Sequence, residues 1–232
     1  MNIKYINHSC FVIEIESKKI VIDPYIENEN QVNQIKDADI VLLSHGHGDH
    51  TDGLKYITDK ATIITNFELA QFYRKKFNTV DMNFGGEISL NLSSDIIKIS
   101  MVQAVHTSSY RDGDKMLYGG VACGYIIKST KTDKCVYFMG DTDMFLDMKL
   151  ICDYYKPSVI LMPIGNHYTM GVDKALYCIN NLLSATKIIP MHYKLTNEKH
   201  HPTDVTKREF SEFVKKSKIK IEKLDNLQEI KI

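Results

Sequence analysis

Within six positions, His45-Gly46-His47-Gly48-Asp49-His50 offers three imidazoles and a carboxylate. These are the nitrogen and oxygen donors that divalent transition metals take. The segment leaves the apolar run Ile40-Val41-Leu42-Leu43, which reads as a short buried strand. His45 and His47 stand two apart, so in extended backbone both rings point the same way and can share one ion. Gly46 and Gly48 let the chain turn tightly and crowd toward that ion. Asp49 and His50 then open a predicted helix over 51–57, which turns a second ligand pair back to the same place. Isolated histidines are common in polar turns, but ordered clusters of metal-ligand types are not. The pattern predicts a metal site.

Four ligands leave a two-metal site incomplete, and three later residues fit in context. His106 follows Met101-Val102-Gln103-Ala104-Val105, Asp141 follows the run 136–140, and His192 follows Ile188-Ile189-Pro190-Met191. Singly, a histidine or aspartate at a strand end is as readily a turn residue or a satisfied polar group. Beyond the ligands, His8 reads equally as a residue lining the site, as one orienting a ligand, or as a core histidine. His167, beside Thr169, is a candidate substrate contact against the plainer reading of a surface loop. Lys194, His200 and His201 form a cationic segment just past His192. With Arg111, they could grip a phosphate or carboxylate, or simply form a solvated loop.

The elements that must position these residues come in a repeated order. Strands at 10–15 and 20–22 flank a polar turn and end at Asp23-Pro24. A short helix over 31–36, the strand at 40–43 and the metal loop follow. A strand at 61–65, a helix over 67–76 and strands between 87 and 106 complete the first part. Residues 111–120 are expected to be a polar loop, since Asp112-Gly113-Asp114 misses the calcium-loop spacing. Then a hairpin (125–127 with 135–139), a helix over 143–155, a strand at 159–162 and a glycine- and histidine-bearing loop repeat the opening order. The pairs Phe11/Tyr125, Asp23/Asp141, Val41/Ile160 and His47/His167 are offset by 114, 118, 119 and 120. The chain thus reads as one hairpin–helix–strand–loop unit used twice. Two such units packed sheet against sheet, helices outside, would bring their loops to one edge. A helix over 173–183, a strand at 187–189, a basic amphipathic helix over 204–216 and two strand-like pieces finish the chain.

Lys+Arg and Asp+Glu are both 29, so no bulk field favours nucleic acid or an anionic membrane. Five scattered cysteines without a CxxC pair argue against both a disulfide framework and a thiolate zinc site. No basic leader precedes an apolar run, and no run approaches the ~20 residues that span a bilayer. These features predict a cytoplasmic protein folded as one domain over 1–232, with a small-molecule substrate and no nucleic-acid or membrane partner; a homo-oligomer stays open.

His-x-His-x-Asp-His with separate His, Asp and His resembles the metallo-β-lactamase fold superfamily. Asn7-His8-Ser9-Cys10, Ile22-Asp23-Pro24, Gly140-Asp141-Thr142, Pro163-Ile164-Gly165 with Tyr168-Thr169-Met170-Gly171, and Pro190-Met191-His192-Tyr193 narrow this. They are similar to the small metal-dependent hydrolases related to ascorbate-6-phosphate lactonase. The resemblance implies an α/β fold, a four-layer αββα sandwich. It also implies one metal on His45, His47 and His106, another on Asp49, His50 and His192, and Asp141 between them. Asn166-His167 departs from the small or acidic residues the family carries there, so substrate preference does not transfer.

Such a site predicts a hydrolase. Two divalent ions (Zn²⁺ or Mn²⁺, with Fe²⁺ open) would share and acidify a water, giving a metal-bridging hydroxide that Asp49 helps orient. The net positive centre suits a small anionic ester, lactone or phosphoester. The rivals are a phosphodiesterase or nuclease of the same fold, a di-iron redox protein, and a non-catalytic metal-binding scaffold. His47 stands where the di-iron relative would carry a carboxylate.

Overall fold

A computed structural model describes residues 1–232. The first part of the chain runs β1 (Asn2–Asn7), β2 (Cys10–Ile15), β3 (Lys18–Ile22), α1 (Glu29–Ile35), β4 (Ile40–Leu42), α2 (Gly48–Thr51), a 3₁₀ turn (Asp52–Tyr56), β5 (Thr62–Asn66), α3 (Phe67–Tyr73) and β6 (Asn78–Met82). The second runs β7 (Glu87–Asn91), β8 (Ile96–Gln103), β9 (Ser109–Asp112), β10 (Lys115–Tyr118), β11 (Cys123–Ser129), β12 (Cys135–Phe138), α4 (Met148–Tyr155), β13 (Val159–Pro163), α5 (Val172–Asn181) and β14 (Lys187–Met191). The chain ends with β15 (Lys194–Thr196), β16 (Asp204–Thr206), α6 (Lys207–Lys216), β17 (Lys220–Ile221) and β18 (Glu229–Lys231).

The large strands form two seven-stranded sheets, ordered β18-β1-β2-β3-β4-β5-β6 and β7-β8-β11-β12-β13-β14-β17. Read in those directions, each sheet has three antiparallel junctions and then three parallel ones. The repeat in the sequence is therefore a repeat in space, and the last strand of the chain completes the first sheet.

Side-chain parity builds the layers. In β2, Phe11, Ile13 and Ile15 join the core between the sheets, while Cys10 and Val12 join an outer cluster with Ile35 of α1. In β12, Val136 and Phe138 face inward, and Cys135 and Tyr137 pack beneath Met148, Ile151 and Cys152 of α4. Alternate residues pointing to opposite faces, all apolar, require cover on both sides. The result is the αββα sandwich, with Phe11 and Phe138 meeting edge-on across its middle at 6.4 Å.

Local departures have local causes. The helix expected over 51–57 is a single α turn from Gly48 followed by the 3₁₀ turn, in which Gly53 donates its N–H to Pro24 O at 2.8 Å. Of residues 111–120, expected as a loop, 111–118 belong to the β9–β10 hairpin, with Gly113 in the left-handed region at its tip. A tight turn led by glycine between short strands is a hairpin device, and the polar composition hid it. β6 is mixed in polarity and was not expected. The helix over 143–155 starts only at Met148, and the last helix follows a short strand over 204–206.

Candidate metal centre

Strands of both sheets deliver their C-terminal ends to one edge. β4 leads into Ser44 and His45, β8 toward His106, β12 toward Asp141 and β14 into His192. His8 lies in the turn after β1, and α2 carries Asp49 and His50. Gly46 is required by a neighbour rather than by an ion: a Cβ there would stand 2.6 Å from Ser109 O, at the foot of the hairpin.

All seven predicted ligands converge. His45, His47 and His106 form one group, and Asp49, His50 and His192, with His8, form another; within each, the donor atoms lie within 4.8 Å of one another. His45 Nε2 is 3.0 Å from His47 Nδ1. Asp141 Oδ2 stands between the groups, 3.0 Å from His192 Nε2, 3.3 Å from His50 Nε2 and 3.8 Å from His106 Nε2. His45, His50, Asp141 and His192 are buried, whereas Asp49 keeps 44% of its side chain exposed and so marks the open face.

Sequence reasoning gave no role to the groups that hold these rings. Asp23, fully buried, accepts the Ser44 N–H at 2.7 Å, the Ser44 hydroxyl at 2.5 Å and His50 Nδ1–H at 2.7 Å. With its proton on Asp23, Ser44 Oγ accepts from His45 Nδ1–H at 2.9 Å. Both imidazoles thus turn their Nε2 atoms inward, as metal-binding histidines do when a carboxylate or hydroxyl fixes the other nitrogen. The available signal was position, for Asp23 closes the first hairpin as Asp141 closes the second.

The donors fit a metal. His50 Nε2, His192 Nε2 and Asp141 Oδ1 are buried and make no hydrogen bond within the protein. Buried polar atoms left unpaired are costly, and ligation satisfies them. Burial pushes the pKa of His45 well down, with His50 adding repulsion, and it also lowers those of His47 and His106, which are therefore neutral donors. Burial opposes charge on His50 and His192 too, but the carboxylates together outweigh it: Asp141 with Asp23 pushes His50 well up, and Asp141 with Asp49 pushes His192 up to about 9. The same contacts hold Asp141 ionised against burial, and the neighbouring His192 imidazole and the His8 hydrogen bond do so for Asp49.

A family model described as a beta-lactamase superfamily domain matches residues 2–192. A UPF0173 metal-dependent hydrolase of Methanosphaera stadtmanae is 39% identical over 201 residues, covering 83% of this chain and 84% of that protein. The chain belongs to the UPF0173 metal-dependent hydrolases. Igni18, a metallo hydrolase from Ignicoccus hospitalis, matches this UPF0173 hydrolase in structure with a TM-score of 0.81 at 30% identity, over 99% of this chain and 98% of its own. An isothiocyanate hydrolase from Delia radicum gut bacteria shares the fold, with a TM-score of 0.76 at 21% identity and coverage of 100% and 99%. No helix of the UPF0173 hydrolase is long and apolar enough to cross a membrane.

The predicted substrate contacts divide. His8, Lys194, His200 and His201 border one cavity of about 760 Å³, which also has Glu27, Asp204 and Asp225 in its wall. Asp204 accepts the backbone N–H groups of His200 and His201, both at 2.9 Å, so the segment is a tied loop of mixed charge rather than a purely cationic one. His167 lies outside that cavity and outside the ligand groups, exposed, with its ring edge-on to Tyr168 at 4.5 Å. Arg111 borders a separate 360 Å³ pocket with His47.

Proposed function

We propose that this UPF0173 hydrolase is a binuclear enzyme that cleaves a small, anionic ester, lactone or phosphoester. His45, His47 and His106 would hold one divalent ion, Asp49, His50 and His192 the other, with Asp141 shared. The carrying observation is the single Asp141 oxygen within 3.8 Å of imidazoles from both groups. A pair of divalent ions, Zn²⁺ or Mn²⁺ by donor type, would acidify water near neutral pH and withdraw charge from the substrate oxygen. The chain supplies the rest. Neutral His45, His47 and His106 donate without first losing protons, and Asp23 and Ser44 fix two of the rings. Asp49, ionised and on the open face, has an oxygen to accept a hydrogen bond from the attacking water and orient it. Lys194 and His200, on the cavity bordered by His8, would meet the substrate's anionic end.

The test is metal analysis followed by turnover of a lactone panel against bis-p-nitrophenyl phosphate. Two ions per chain with lactone or ester turnover supports the reading, and preference for the diester would move it to a phosphodiesterase. A fully metallated protein inert toward both would instead be a scaffold.

A further inference from the structure

Resting on the two-ion reading above, we infer that His8 is a positioning residue for the Asp49/His50/His192 site rather than a substrate contact. Its imidazole Nε2 lies 3.0 Å from Asp49 Oδ2, the oxygen that is also 3.8 Å from both His50 Nε2 and His192 Nε2. Its ring packs on the His192 ring at 4.1 Å and stands edge-on to that of His50 at 5.6 Å. Its backbone carbonyl accepts the His192 N–H at 2.9 Å and the Tyr5 hydroxyl at 3.2 Å. One residue therefore touches all three members of one ligand group and none of the other.

The backbone supports the same role. His8 and His192 both sit in the left-handed region, at φ 47° and 55°, each just past a strand of a different sheet. A non-glycine residue pays about 1–3 kcal/mol for a sparsely populated conformation unless its surroundings fix it. Here the peptide hydrogen bond from His192 to His8 joins the two, so the first sheet holds the second sheet's ligand in place. The side chain does for Asp49 what the carbonyl does for His192. A carboxylate ligand with a free rotamer spends time turned toward solvent, and Asp49 is the most exposed member of its group. A donor on its oxygen removes that freedom, as partners of ligating carboxylates do elsewhere.

The test is metal affinity, read by competition with a chromophoric chelator, with the Co²⁺ absorption spectrum as a second readout. H8F keeps a ring against His192 but removes the donor, and H8Q restores an N–H at similar reach. The expected result is that H8F weakens one of the two ions by about 10–100-fold and perturbs its Co²⁺ bands. The ion on His45, His47 and His106 is unchanged, and H8Q returns to within about threefold of wild type. Wild-type affinities in H8F, or equal losses in H8F and H8Q, would overturn the inference by leaving His8 a packing residue. A wild-type chain that takes up one ion only would instead overturn the two-ion reading, and this inference with it.

Discussion

Asp23 and Asp141, which occupy equivalent places in the two repeats, grip opposite edges of one imidazole. Asp23 Oδ2 lies 2.7 Å from His50 Nδ1, and Asp141 Oδ2 lies 3.3 Å from His50 Nε2. Repeat symmetry thus delivers a carboxylate from each sheet to the centre, and the ring between them separates a supporting role from a ligating one. Asp23→Asn keeps the volume but leaves one acceptor oxygen for three donors. Metal affinity is expected to fall about 10–100-fold by chelator competition. The metal-free protein should lose about 1–3 kcal/mol, because a buried donor is left unpaired.

Metal binding should grow tighter with rising pH. His50 and His192 carry raised pKa values in the metal-free protein, His192 at about 9 against an ordinary 6.5. The charged form of His192 stabilises the fold fully below pH 6.5, and that stabilisation is lost as pH rises through about 9; His50 acts in the same direction. A metal ion takes only the neutral rings, so it displaces protons across this window. Chelator treatment should therefore lower Tm more at pH 8.5 than at pH 6.5. Calorimetry in buffers of different ionisation heat should show proton release at pH 7. Equal Tm losses at both pH values would contradict the assignment.

Gly165 allows His192 to reach the centre. A Cβ at this position would stand 1.8 Å from the His192 carbonyl oxygen, closer than any side chain can pack. Gly165→Ala must push the two loops apart and carry the His192 ring away from Asp141. The expected outcome is loss of one ion per chain and a stability loss of about 2–4 kcal/mol, in the range for strained or overpacked sites. Gly113→Ala is the control: a Cβ there meets nothing within 4 Å, so only its left-handed backbone is taxed and metal content should not change.

The candidate ligands were legible because metal chemistry restricts residue type and because the 45–50 loop, His106, Asp141 and His192 each follow an apolar strand. The sandwich was legible because the doubled hairpin–helix–strand–loop order specifies two sheets, and strands that are apolar throughout need cover on both faces. The supporting groups were harder to see. Asp23 reaches Ser44 and His50 only across 21 and 27 residues of chain, and nothing in the types of Asp23 and Ser44 distinguishes them from turn residues. His8 was visible but ambiguous, because its partner lies 41 residues away. The β9–β10 hairpin was missed despite its glycine turn, since its strands are too exposed to carry an apolar alternation. His167 is the opposite case: the repeat pairs it with His47, yet its side chain stays outside the cluster. Symmetry of the fold does not extend to symmetry of the site.

The two sheets are also joined by a polar contact that can be tested apart from the metal. Tyr125 of β11 is fully buried between the sheets, and its hydroxyl reaches Leu43 O at 2.8 Å and Ile64 O at 3.1 Å on the first sheet. Leu43 directly precedes Ser44 and His45, so this hydroxyl ties the root of the metal loop to the opposite layer. Tyr125→Phe removes the donor without opening a cavity and should cost about 1–2 kcal/mol, or a few degrees in Tm for a chain of this length. Metal content should persist, because Cys123 N–H still bonds Ser44 O at 3.0 Å. Tyr137→Phe is the matched comparison: that hydroxyl is buried with no protein partner, so its removal should be neutral or slightly stabilising. Equal losses for both variants in urea unfolding would show that the Tyr125 hydroxyl does not join the sheets.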